Sequence, residues 1–319
     1  MHNLQPFPDA DKFEFKERFI ERYSKLTDWN TYRKYNLSFL RKSIRINTLK
    51  MQINDLKARL EKDWILTPVP WCREGFFIEH KGDRRDVGNT YEHAMGYYYV
   101  QEAASMIPPI VLDPQPGDIV LDMAAAPGSK SSQIAQYMNN EGLLLANDVK
   151  GDRLAALGIN LQRMGIHNAL ITLLPGQNYA TKNIQFDRIL LDAPCSGVGT
   201  IRKSPKTIRM WNPQTIKRMA ALQKKLIRAA WSILKPGGTL VYSTCSTEPE
   251  ENEAIISLLL EENEDAEVQS FELNINRADP ILVFQSKQYN PQVKRCLRLW
   301  PQDNDTEGFF VAKVSKRNA

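Results

Sequence analysis

"GDIVLDMAAAPGSKSSQIAQYMNNEGLLLANDV", residues 117–149, decides the fold. An apolar run from Ile119 to Leu121 leads into a loop of small residues. A stretch with helical spacing follows, then a second apolar run that ends in Asp148. Strand, loop, helix and strand in succession form a βαβ unit, in which the helix crosses one face of two parallel strands. The alternation continues downstream. "GDRLAALGINLQRMG" (151–165) is helical, "NALITLLP" (168–175) extended and "FDRILLDAP" (186–194) a strand. "PQTIKRMAALQKKLIRAAWSIL" (213–234) then reads as an amphipathic helix, and "GGTLVYSTC" (237–245) as a strand after a Lys-Pro-Gly-Gly turn. Near-continuous apolar strands separated by helices specify a parallel sheet covered on both faces, the doubly wound, Rossmann-like α/β class. In such sheets ligands gather at the carboxyl ends of the strands, where this chain sets its least ordinary residues.

Upstream the pattern changes. "FEFKERFIERYSKL" (13–26) and "TYRKYNLSFLRK" (31–42) read as helices. "SIRINTLK" (43–50), "INDLKARLEKD" (53–63), "WILTPVPW" (64–71) and "GFFIEH" (75–80) read as strand, helix, strand, strand. A small α+β domain, residues 1–112, is therefore expected before a main domain, residues 113–319, with the join in "LDPQPGD". A chain of 319 residues exceeds the usual size of one compact domain.

No apolar run approaches the roughly 18–20 residues that cross a bilayer, and "MHNLQPFPDADK" lacks a basic start followed by an apolar core. A soluble, cytoplasmic, monomeric protein with no membrane partner is expected. The four cysteines, Cys72, Cys195, Cys245 and Cys296, are far apart with no C-x-x-C pair, which argues against a disulfide scaffold and against a bound metal. The net charge of +5 is modest, but its distribution is not even. No Asp or Glu lies between Asp192 and Glu248, a stretch with Arg202, Lys203, Lys206, Arg209, Lys217, Arg218, Lys224, Lys225, Arg228 and Lys235. A second acid-free window, between Asp28 and Asp55, holds Arg33, Lys34, Arg41, Lys42, Arg45 and Lys50. Taken singly these are solvated helix faces; taken jointly they point to a phosphate-bearing polymer as partner.

The loop 124–130, between first strand and first helix, is slim enough for a ligand to lie against its backbone, and the helix start favours negative charge. It lacks a full G-x-G-x-x-G, so a dinucleotide fits poorly. Asp148 ends the second strand where a ribose-binding acid sits in nucleotide folds; as an alternative it caps the helix that follows. A nucleoside cofactor without pyrophosphate, such as S-adenosylmethionine, suits this pattern. Cys195 and Cys245 each end a strand beside that loop. Alone, either thiol reads as a small buried hydrophobe. Together, with Asp192 three residues before Cys195 and a basic segment that favours thiolate, they fit a chemistry that adds to an electron-poor ring.

The blocks "DMAAAPGSK", "ANDV", "FDRILLDAPCSGVGTIRK" and "KPGGTLVYSTCSTEPEENEAII" resemble the Nop/Sun family of S-adenosylmethionine-dependent RNA cytosine-5 methyltransferases. The likeness covers 113–319, and "SIRINTLK" with its surroundings resembles the family's RNA-binding extension. The resemblance implies that Cys245 adds to C6 of cytosine and that Cys195 assists release of product. It implies that Asp192 bonds the cytosine edge as a general acid does, with Lys130 orienting that acid or the base. Ala124, Ala125, Ala126, Pro127, Gly128, Ser129, Lys130, Asp148, Arg153, Gly176 and Asp192 are expected to line S-adenosylmethionine. Arg202 and Lys203 are expected on RNA phosphates, the RNA being of the transfer or ribosomal kind, with its target base out of the stack. One departure stands out: "LLPGQNY" places Pro175 and Gly176 where many relatives carry Asp-Gly, so adenine contacts fall to backbone or to Gln177. Two other readings stay open. A methyltransferase for exocyclic amines typically uses an Asn/Asp-Pro-Pro-Tyr type loop where this chain has Asp-Ala-Pro-Cys. A non-catalytic RNA-binding protein on the same fold sits awkwardly with an intact Cys195, Cys245 and Asp192.

Overall fold

The computed structural model describes residues 4–82, 84 and 86–318, so Met1 to Asn3 of the N-terminal stretch lie outside the described residues. Two helices open the chain, α1 (Glu17–Tyr23) and α2 (Trp29–Asn36), the second capped by Asp28, whose carboxylate accepts from the Thr31 amide. A four-stranded antiparallel sheet follows: β1 (Ser43–Ile46), β2 (Trp64–Val69), β3 (Cys72–His80) and β4 (Tyr98–Val100), in the order β2-β3-β1-β4. Helix α3 (Ile53–Leu60) buries Leu56 and Leu60 against Ile44, Ile46, Leu66 and Phe76 on one face of it. Short helices α4 (Tyr91–Ala94) and α5 (Ile107–Leu112) lead to the larger sheet.

That sheet holds eight strands. β5 (Ile119–Asp122), β6 (Leu143–Asp148), β7 (Ala169–Leu173), β8 (Phe186–Asp192) and β9 (Leu234–Thr244) are parallel and alternate with α6 (Ser129–Tyr137), α7 (Gly151–Met164), α8 (Lys206–Met210) and α9 (Pro213–Ser232). The rest of the chain adds α10 (Glu253–Glu262), β10 (Ala266–Gln269), the hairpin β11 (Val283–Phe284) and β12 (Lys287–Gln288), β13 (Leu297–Leu299), α11 (Pro301–Asn304) and β14 (Phe309–Lys316). Spatial order is β7-β6-β5-β8-β9-β14-β10, with β13 also on β14. The expected parallel sheet is therefore mixed: β14 runs antiparallel between β9 and β10. The strand order reverses at β5 and β8, which opens the crevice where a ligand fits.

Both sheet faces are covered, as apolar parallel strands require. On one, Leu121, Leu191 and Leu240 pack with Leu226 and Ile227 of α9 and Ile255 and Leu259 of α10. On the other, Val120, Leu190 and Val241 pack with Ile107, Val111 and Ile134, and with Trp71 and Phe77 of the N-terminal sheet. Buried polar groups join the two sheets further. Arg45 of β1 donates to the Ser129 carbonyl (3.0 Å) and to Ser132 Oγ (2.9 Å), and Asn47 Nδ2 donates to the carbonyls of Gly96 (2.9 Å) and Met164 (2.8 Å). Helices α1 and α2 do not pack on the small sheet. Phe19, Tyr23 and Tyr32 form an aromatic cluster with Trp211 and Trp300 of the main domain.

Candidate active site

β8 and β9 are adjacent and parallel, with Asp192 level with Ser243, so the loops that leave their carboxyl ends leave side by side. That places Cys195 and Cys245, both half-buried, with their sulfur atoms 3.1 Å apart. The chain stays this close because the loop after Cys195 is stitched to the other: the Gly199 amide donates to the Cys245 carbonyl (2.9 Å), and the Gly308 amide donates to the Gly199 carbonyl (3.0 Å). A Cβ on Gly199 would stand 2.1 Å from the Gly308 oxygen and 2.7 Å from the Cys245 oxygen, so only glycine fits there.

Beside the thiols, Lys130 Nζ donates to Asp192 Oδ2 (2.7 Å), and Ser243 Oγ donates to Asp192 Oδ1 (2.7 Å). Lys130 is the second residue of α6, so the loop between β5 and α6 fixes where its amine lies. Burial drags its pKa down, but the charge and hydrogen bond of Asp192, helped by Cys245, outweigh that and raise it. The ring of Phe309 lies 5.6 Å from the ammonium. Asp192, Cys195 and Cys245 lie at or just past strand ends, as the sequence pattern leads one to expect, and the structure brings them to one crevice with Lys130 from the start of α6.

The thiolate-favouring field expected from the acid-free segment does not extend to Cys195. Its neighbour Cys245, burial and the charge of Glu251 together push its pKa well above the usual thiol range. Glu251 is a residue beside the thiols that the sequence reading did not single out. Its Oε2 accepts from the Ser196 amide (2.8 Å) and from Gln223 Nε2 (2.9 Å), and its Oε1 accepts from Ser246 Oγ (3.0 Å). Ser196 follows Cys195 and Ser246 follows Cys245, so one buried carboxylate ties both cysteine loops together. Next to it, Glu248 accepts from Tyr23 (3.0 Å), Trp211 (2.9 Å) and Arg22 (2.7 Å), which anchors α1 to the same loop. The usable signal was in "STEPEENEAII": acids placed directly between the Cys245 loop and an apolar helix.

Across the crevice, Gly128 takes φ +104 at the start of α6, and a Cβ there would meet Leu157 Cδ1 at 3.0 Å. Asp148 is buried. Its Oδ2 accepts from the Ala126 amide (3.2 Å) and pairs with Arg153 (3.2 Å), and its Oδ1 accepts from the Lys150 amide (3.0 Å). It is not the helix cap, since α7 starts from Lys150 with no side-chain cap. Arg153 also donates to the Ala126 carbonyl, closing one side of the loop. Asp122, just below, has Oδ2 on Ser131 Oγ (2.6 Å) while its Oδ1 is buried without a hydrogen-bond partner. Burial, then the nearby Asp192, raise its pKa to about 7 against the opposing Ser131 bond. Gly176 is buried against Met123 and Leu226, and a Cβ would stand 2.8 Å from Leu226. Gln177 is exposed. Two apolar side chains beside Asp148 remain open, Val149 at 57% and Leu173 at 58% exposure, and sequence reading did not single them out.

One expectation is corrected. Arg202 is not on the surface: its guanidinium is buried, donating to the carbonyls of Ser38 (3.3 Å), Phe39 (2.7 Å) and Thr306 (3.1 Å) and pairing with Asp305 (2.7 Å). A charge count cannot separate such an arginine from a solvated one. Arg45 leaves the second basic window for the same reason, whereas Lys203, Lys206, Arg209, Lys217 and Arg218 are exposed. Among the described residues no group of His, Cys, Asp or Glu could hold a metal ion, and no helix is long and apolar enough to cross a membrane.

A family model for 16S rRNA methyltransferase RsmB/F matches residues 109–315, and one for the N-terminal domain of 16S rRNA methyltransferase RsmF matches residues 15–103. The tRNA (cytosine(49)-C(5))-methyltransferase of Pyrococcus abyssi is 47% identical over 309 residues, 96% of this chain and 98% of that protein. The ribosomal RNA small subunit methyltransferase F of Shewanella amazonensis is 44% identical over 282 residues, 87% of this chain, and the match spans 58% of that longer protein. A crystal structure of a methyltransferase homolog from Pyrococcus horikoshii superimposes with a TM-score of 0.85 at 37% identity, covering 97% of this chain and 99% of that one.

Proposed function

This chain belongs to the RsmB/F (Nop/Sun) family of RNA cytosine-5 methyltransferases, and from that premise we propose that it methylates C5 of cytosine in RNA by a route in which Cys245 bonds covalently to C6 of the base. The observation that carries the reading is the meeting of two thiols 3.1 Å apart with a Lys130–Asp192 pair at the ends of adjacent strands.

C5 of cytosine is a weak nucleophile, and addition of a thiolate at C6 divides one hard step into easier ones. The Cys245 thiolate forms the S–C6 bond while the C5–C6 π pair shifts toward C5 and the ring nitrogens. Asp192 would accept from the N4 amine of the base, and the Lys130 ammonium that donates to its Oδ2 holds positive charge beside the ring as negative charge arrives at N3. When bound, S-adenosylmethionine supplies a methyl group as electrophile. After C5 is methylated, its proton passes to a water molecule acting as base beside Cys195, the C5–H pair re-forms the C5–C6 double bond and the S–C6 pair returns to Cys245 as thiolate. Cys195, the group beside that sulfur, assists this elimination. The target base must first leave its stack, which fits a single-stranded or looped RNA.

The residues fit S-adenosylmethionine: a buried acid at the end of β6, a loop held open by Gly128, an unpartnered Asp122 oxygen and exposed Val149 and Leu173 make a crease for a nucleoside. Asp148 would bind the ribose, the 124–130 backbone and Arg153 the amino-acid end, and Val149 and Leu173 the adenine faces. Residues 1–112 add an RNA-binding surface in this reading, and Lys203 contacts phosphate. Incubation with methyl-labelled cofactor and unmodified transfer or ribosomal RNA, followed by nucleoside analysis, tests it. Label in 5-methylcytosine is expected. Label in adenine would point to amine methylation, and RNA binding without label to a non-catalytic role.

A further inference from the structure

A groove of about 410 Å³ opens on the N-terminal sheet, away from the thiols, with Phe39, Arg41, Ile65 and Phe77 in its lining. β2 turns Trp64 and Leu66 into the core and Ile65 outward, yet Ile65 is apolar and 51% exposed. A solvated sheet face normally carries polar residues at such positions, so an apolar one marks a contact. Arg41 sits over Phe77, its guanidinium carbon 3.5 Å from the ring centroid. Its side chain is 18% exposed, and a planar cation that stacks on an aromatic ring stacks equally on a nucleobase reaching that exposed part. Lys42 and Arg84 bring further positive charge to the groove, and among the described residues of its lining Glu79 is the one carboxylate.

The groove is also tied to the catalytic crevice. Arg41 pairs with Asp305 (2.9 Å), which pairs with Arg202 (2.7 Å), and four residues further on lies Phe309, whose ring is 5.6 Å from the Lys130 ammonium. Four residues span at most roughly 14 Å. We infer that this groove holds one unstacked base of the same single-stranded RNA that enters the crevice, stacked against Arg41, with Lys42 and Arg84 near the flanking phosphates. The inference rests on the RNA reading of the crevice and adds a second base-binding subsite to it. Positive charge combined with stacking surfaces is the chemistry by which proteins hold single strands.

The test uses the full chain and fluorescence anisotropy, which reads binding without methyl transfer. Two labelled single-stranded RNAs carry the target cytosine, one of roughly 20 nucleotides and one of about 3 with the cytosine in the middle, the shorter leaving only a single nucleotide on either side of the crevice. Ile65→Glu and Lys42→Glu change exposed side chains, and thermal melting checks that each variant folds. Each variant is expected to weaken the long RNA about tenfold, the scale of one lost stacked base, while binding of the short RNA is unchanged. Methylation of the long RNA should then show a raised KM with kcat retained, and 4-thiouridine in the long RNA should crosslink to peptides containing Phe39 or Phe77. Wild-type affinity for the long RNA in both variants would overturn the inference, as would an equal loss for both RNAs. A second copy of the chain in the groove would show as an Ile65→Glu change in sedimentation with RNA affinity intact, which also overturns it. Tight binding to the long RNA with no methylation would instead remove the catalytic reading and leave the groove standing.

Discussion

The floor beneath the two thiols and the surfaces that face ligands are built by opposite rules. Under the thiols the polar atoms are tied down: Glu251 holds both cysteine loops, Glu248 holds α1, and Arg298 makes a buried two-pronged bond to Glu253 (2.6 and 2.7 Å). Around the crease and the groove, large apolar side chains such as Val149, Leu173 and Ile65 stay more than half exposed. The contrast teaches where the two costs of catalysis fall. In the proposed reaction two sulfurs share one base, and their separation is fixed by buried hydrogen bonds that would be expensive to leave unmade. In the same reading a cofactor and an RNA strand come and go, and the surfaces proposed for them keep hydrophobic area open until a ligand covers it.

The largest effect should come from the thiols themselves. Cys245→Ala is expected to reduce turnover on the order of 10⁴-fold, as removal of a nucleophile does, and to form no covalent complex. Cys195→Ala should accumulate an RNA adduct on Cys245, visible as a shifted band on denaturing gels. Release of methylated RNA at the wild-type rate by Cys195→Ala would remove the role given to that thiol.

Next comes the floor. Glu251→Ala leaves the Ser196 amide, Ser246 hydroxyl and Gln223 amide without their shared acceptor, for a loss of about 2–4 kcal/mol in stability by denaturant titration. Glu251→Gln keeps one good acceptor and should recover most of the stability while kcat stays depressed. Equal kcat in Glu251→Gln and wild type would mean that the clamp is structural only.

A third pair separates buried from exposed charge. Arg202→Ala should destabilise the fold by about 3 kcal/mol, with RNA affinity per folded molecule little changed, because its bonds are internal. Lys203→Ala should leave the melting temperature alone, weaken RNA binding and lower the salt dependence by about one counterion. The reverse assignment would undo the correction made to Arg202.

The smallest effect is a pH dependence. Asp122 carries a raised pKa of about 7, caused first by burial. A carboxyl whose folded pKa lies above its unfolded value near 3.8 contributes stability that is whole below about pH 3.8 and lost as pH rises through about 7. Asp122→Asn should therefore flatten that part of the decline between pH 4 and 7 in thermal melts and be relatively more stable than wild type above pH 7. An unchanged slope would show that this acid is not protonated in the folded state.

Much of this architecture was legible in the residues. The five parallel strands announce themselves because each is a short apolar run bounded by turns, and their carboxyl ends carry Asp148, Asp192, Cys195 and Cys245. What stayed hidden was pairing and burial. β14 lies next to β9 although Thr244 and Phe310 are far apart in the chain, and no local pattern states that choice of neighbour. The affiliation of α1 with Trp211 and Trp300 is hidden for the same reason. Arg45 and Arg202 look like surface charges in a basic window until the carbonyls around them are seen. Glu251 looks like one of several acids in a row until its three donors converge.

The insertion of β14 between β9 and β10 has a consequence for synthesis. A nascent polypeptide leaving the ribosome has already delivered the stretch with both cysteines when residues 309–316 are still being assembled, and the ladder on which Thr244 and Ser243 pair is incomplete until they emerge. The strand that braces the Cys245 loop is therefore among the last to emerge, and a chain halted before residue 308 is expected to lack the Gly308–Gly199 bond that stitches the cysteine loops.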